Sequence, residues 1–133
     1  MIATKNNAAD IVCYTSYFGM LCKLPSNVVP VCITRHKPRW YDGLCCQSLR
    51  PSQLILDAYR INQITQDEYR HMYTQQVLLR LCPASIMNKL KRLVGPDALP
   101  ALICYEKSGD FCHRYIVAEW LTAYGLPCTE WQP

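Results

Sequence analysis

Charge is sparse in this chain: only 18% of its 133 residues are Asp, Glu, Lys or Arg, while half are apolar. That balance excludes an intrinsically disordered chain, and the length suits one domain, 1–133, with its own core. No apolar run approaches the roughly 20 residues of a membrane-spanning helix, so a soluble protein with no membrane partner is expected. Residues Met1–Asp10 are polar and hold no apolar stretch of the secretory-signal kind. Internal repeats, low-complexity tracts and a dividing linker are missing as well. So is the paired Cys-x-x-Cys spacing of structural zinc sites.

Cysteine, by contrast, is abundant. The nine cysteines are an odd number, and several sit inside apolar runs such as Ile11-Val12-Cys13-Tyr14 and Leu102-Ile103-Cys104-Tyr105. There a thiol behaves as a small hydrophobe, and reduced cysteines in a cytoplasmic protein are expected. The net charge of +4, from 14 basic and 10 acidic residues, permits an anionic ligand or nucleic acid without requiring either.

Patterning predicts strands at Asp10–Thr15, Val28–Thr34, Leu99–Tyr105 and Leu126–Trp131. Three helices precede the third strand: one opened by Pro51-Ser52, one to about Leu81 opened by the capping-box sequence Thr65-Gln66-Asp67-Glu68, and one over Ala84–Val94 stopped by Gly95-Pro96. A last helix runs to Tyr124, with Asp110 as its expected cap. Arg35–Leu49 reads as irregular. The resulting fold class is α/β: a small three-layer Rossmann-like domain, its mainly parallel sheet of about four strands, with a helical insertion before the third strand.

Ligands of such sheets gather beyond the carboxyl ends of the strands, which selects the segments after Thr15, Thr34 and Tyr105. The third is dense in chemistry: Cys104-Tyr105-Glu106-Lys107-Ser108-Gly109-Asp110-Phe111-Cys112-His113-Arg114. Placed in a first helical turn, Cys112, His113 and Arg114 meet backbone N–H groups that favour anions and lower a thiol pKa.

Leu102-Ile103-Cys104-Tyr105-Glu106-Lys107 followed by Phe111-Cys112-His113-Arg114 resembles the signature of the domain of unknown function 488 family. Tyr14-Thr15-Ser16-Tyr17-Phe18, Pro38-Arg39-Trp40, Leu49-Arg50-Pro51-Ser52 and Glu68-Tyr69 are further matches in the same order. The resemblance implies a compact α/β fold with a site around the Cys-His-Arg turn, and no particular reaction. Many members carry Asp-Val-Arg after the second strand. This chain has Ile33-Thr34-Arg35, so no aspartate role carries over.

Cys112, Glu106 and His113 are the candidate catalytic residues, set against packing for Cys112, an ion pair with Arg114 or Arg35 for Glu106, and a hydrogen-bonded cap for His113. Arg114 is the foremost expected anion contact because its fork suits phosphate or carboxylate. Lys107, Arg35, Tyr14, Ser16, Tyr17 and Trp40 complete the candidate ligand-binding set. Cys104, Cys112 and His113 offer three ligands of the zinc type, but the spacing assigns no metal, and no cofactor is assigned. A small, nucleotide-like anion is the expected partner. The rivals are a non-catalytic module that sequesters or senses a nucleotide, and a nucleic-acid or protein adaptor using the basic-aromatic loop Arg35–Tyr41.

Overall fold

A computed structural model describes residues 10–133; the polar stretch 1–9 lies outside the described residues. Among the described residues five strands form the sheet: β1 (Cys13–Tyr17), β2 (Val28–Cys32), β3 (Leu44–Cys45), β4 (Leu99–Cys104) and β5 (Cys128–Glu130). Their order is β3-β2-β4-β1-β5, and every neighbouring pair is parallel. This is the Rossmann-like α/β architecture, with one strand more than the patterning predicts. The addition, β3, is a two-residue ladder in the segment read as irregular. It is too short for any periodicity to reveal.

The central strand β4 is buried from Pro100 to Cys104. Each fully buried Leu or Ile there contributes about 1.5–3 kcal/mol, and alternate residues serve opposite faces. Leu102 and Cys104 join the larger core, to which all four long helices contribute; Ala101 and Ile103 join the smaller one. Cover on the two faces is therefore unequal. The helices lie on one side, while Phe18 of a 3-10 turn (Phe18–Lys23) and Tyr41 of a loop shield the other.

The helical insertion is α1 (Gln53–Arg60), α2 (Gln66–Gln76) and α3 (Pro83–Val94), with α4 (His113–Ala123) between β4 and β5. Ser52 caps α1 by accepting from the Ile55 N–H at 3.2 Å. The capping box of α2 forms as read: the Glu68 N–H donates to Thr65 Oγ1, and the Thr65 N–H donates to Glu68 Oε1 at 2.8 Å. α2 ends at Gln76, earlier than Leu81, because a 3-10 turn (Leu78–Arg80) follows. The cap of α4 is also a correction. Asp110 sits in the preceding turn, its N–H bonded to the Lys107 carbonyl, and Cys112 is the N-cap. No described helix is long and apolar enough to cross a membrane.

Candidate functional site

Beyond the carboxyl ends of β2 and β4 lies a cleft of about 150 Å³. Thr34, Arg35 and His36 bring one wall from the end of β2, and Tyr105 and Glu106 another from the end of β4. Phe111, Cys112 and His113 arrive with the start of α4, and Pro51, Leu56, Tyr59 and Tyr69 close the side formed by α1 and α2. The aromatic wall is continuous: the Phe111 ring lies 5.3 Å from Tyr59 and 5.0 Å from Tyr69.

The chain reverses between β4 and α4 through Gly109, whose φ of 95° suits a residue without a Cβ. That turn sets Cys112 at the N-cap with its side chain free of any capping bond. His113 is buried at 6% exposure, and its Nε2–H donates to the Ile33 carbonyl at 2.9 Å. A carbonyl only accepts, so Nε2 carries a hydrogen. Cys104 Sγ is 3.7 Å from His113 Nδ1 and 3.8 Å from Nε2.

The two thiols respond oppositely. Burial and the negative charge of Cys112 push the Cys104 thiol well up, so it stays protonated. Burial also opposes charge on Cys112, but S–H donation from Cys104, the hydrogen bond from His113 and the positive charges of His113 and Arg114 outweigh it. The Cys112 thiol is held well below the usual thiol range. Glu106, whose residue is exposed at the cleft mouth, is raised by partial desolvation of its carboxyl and by the Cys112 charge. A thiol of lowered pKa and a carboxyl of raised pKa thus share one cleft.

Cys104, Cys112 and His113 also offer three metal-ligating atoms within 4.8 Å of one another. The set that spacing along the chain disfavours is assembled by the fold, from the end of β4 and the start of α4. Two thiols and an imidazole are ligand types that suit zinc.

Arg114 departs from its expected place. It is fully buried and its fork is spent on Glu130: Nε donates to Oε1 at 3.0 Å and Nη2 to Oε2 at 2.8 Å. Nη1 donates to the Glu106 carbonyl at 2.7 Å, and Nη2 also to the Tyr115 hydroxyl at 3.0 Å. Thr15 and Ser108 hydroxyls each donate to Glu130 at 2.6 Å. Burial opposes the Glu130 charge, but these donors prevail and lower its pKa. Arg114 therefore does not line the cleft; it pins the turn, through the Glu106 backbone, to β5 and β1.

The remaining candidates divide. Arg35 lines the cleft, its Nε donating to the Pro51 carbonyl at 2.7 Å. Lys107 is exposed on the turn outside the cleft. Tyr14 packs on the smaller core, Ser16 is buried with its hydroxyl unpaired, and the Tyr17 ring stacks 5.7 Å from the Arg114 guanidinium. None of these three lines the cleft. Trp40 is 65% exposed, away from the cleft, with its ring 5.8 Å from Phe18. The expected ion pair of Glu106 with Arg114 or Arg35 does not form; among the described residues Arg114 pairs with Glu130 instead.

Sequence reasoning missed Tyr59, Phe111 and Glu130. A buried arginine demands a carboxylate, which was the available signal for Glu130, but nothing local names which of ten acids provides it. The aromatic wall has no signal of its own, since inward aromatics on α1 and α2 read as core.

No curated protein and no solved structure matches the chain. The family model described as the active DUF488-N3 subclade matches residues 24–125. The matched span contains every cleft residue and leaves out Thr15 and Glu130 of the buried network. With that match over most of its length, the chain belongs to the domain of unknown function 488 family.

Proposed function

We propose that the cleft is a thiol-dependent active site for a phosphate-bearing, nucleotide-like ligand. The observation that carries this is the convergence of Cys112, Glu106 and His113 on one cavity walled by Tyr59, Tyr69 and Phe111. The apolar rings suit a flat, conjugated ring, and Arg35, rather than the sealed Arg114, is the cation in reach of the ligand's anionic group.

The chemistry this arrangement supports is covalent substitution. Cys112 Sγ attacks an electrophilic carbon of the ligand and forms a carbon–sulfur bond. The bond to the leaving atom breaks with its electron pair, and the Glu106 carboxyl supplies the proton that atom needs. Glu106, now a carboxylate, takes a proton from an incoming water or hydroxyl that displaces the sulfur and restores the thiolate. His113, held by the Ile33 carbonyl, keeps the thiolate in place.

Incubation with nucleotides and nucleosides, read by product formation and by intact mass, tests the assignment. Cys112→Ser and Glu106→Gln are expected to retain ligand while conversion falls by about 10²-fold or more. Ligand bound by the unaltered protein with no product and no adduct would show a sequestering module instead, and the catalytic assignment would be abandoned.

A further inference from the structure

We infer that the cleft opens into a basic notch that holds the phosphates of a single-stranded nucleic acid, one of whose nucleotides enters the cleft. The inference rests on the proposed function only for that one nucleotide; the notch is a separate feature.

Arg35 is the junction. It lines the cleft and also two adjoining cavities, one of about 140 Å³ shared with Lys37 and Arg50, the next of about 480 Å³ shared with Arg50 and Arg80. Among the described residues, no carboxylate lines either of the two. Among the described residues, none of these four cations has a salt-bridge partner. Four uncompensated cations on one concave surface attract a polyanion, and their attraction weakens with salt.

The extent of the notch selects the class of ligand. A single phosphate is satisfied by one or two cations, whereas four arranged across two cavities suit a run of phosphates. The neighbouring cleft supplies what a nucleic acid adds to a polyanion, namely aromatic faces for a base. Tyr105, 49% exposed, lines the cleft beside the deeper aromatic wall. A base paired in a duplex is not free to enter, so an unpaired strand fits and a duplex does not.

The test is fluorescence anisotropy with labelled single-stranded DNA and RNA, the matching duplex, nucleoside triphosphates and polyglutamate, each over a salt series. Single strands are expected to bind more tightly than duplex, with an affinity that falls log-linearly with salt. The double variant Arg50→Ala/Arg80→Ala, checked for folding by its melting curve, should weaken strand binding at least about tenfold and flatten the salt slope by about 1.4. Four results would each overturn the inference: triphosphates binding while strands do not, duplex or polyglutamate binding equally well, no binding at all, or a folded double variant with an unchanged slope. Alkylation of Cys112 in the unaltered protein separates the two assignments. Strand binding with an inert thiol removes the chemistry and keeps the notch, and a reactive thiol without strand binding does the reverse.

Discussion

Cys112 and Arg114 stand two residues apart at the start of α4, and they face opposite ways. Cys112 looks into the cleft, its thiol pKa lowered against burial by Cys104, His113 and the Arg114 charge. Arg114 looks away, sealed against Glu130 and bonded to the Glu106 backbone. One side of the turn is built to meet something and the other to hold still. A strand-to-helix turn that presents a charged nucleophile needs an anchor, and here the anchor is the residue whose side chain looked most like a ligand contact.

The comparison breaks most visibly at the anchor. Arg114→Ala leaves the Glu130 carboxylate buried without its partner, and should cost about 3–5 kcal/mol in urea unfolding. Cys112→Ala should cost about 1 kcal/mol while removing all adduct formation. A variant pair in which the arginine change is mild and the cysteine change severe would reverse the two roles.

Acid sharpens the contrast more gently. Glu130 has a lowered folded pKa, so its stabilisation is present above the ordinary carboxyl range and is lost as pH falls through the folded value. Glu130→Gln should therefore flatten the acid limb of stability against pH. Glu106 has a raised folded pKa, so the folded state binds more protons there and stability declines as pH rises through the interval above the ordinary value. Glu106→Gln should remove that decline, by less than about 1 kcal/mol at this partly solvated site. Smallest of all is the effect of metal removal. Prolonged chelation should leave Cys112 alkylation unchanged; a marked rise in its rate would show Cys104, Cys112 and His113 acting as ligands.

How much was legible follows the range of each interaction. The strand core Leu99–Cys104, the Thr65 capping box and the Gly95 stop are written in contiguous residues, and the fold realises them. The convergence of Cys112, His113 and Glu106 was also local, since eleven residues span the turn. What lay beyond reach depends on distant partners. Glu130 comes from the last strand to take Arg114, the Ile33 carbonyl holds the His113 ring from just past β2, and Tyr59 and Tyr69 become a cleft wall only once α1 and α2 are docked. Asp110 has the chemistry of a helix cap, yet Gly109 lengthens the turn and passes that position to Cys112.

The pH profile of alkylation at each cysteine, in the native protein with limiting iodoacetamide and peptide mapping, tests the central claim most directly. Cys112 should react with a midpoint below that of an ordinary thiol and ahead of the exposed Cys22, and His113→Gln should move that midpoint upward. Modification of Cys112 only when the protein unfolds, while Cys22 reacts freely, would contradict an open, thiolate-bearing cleft.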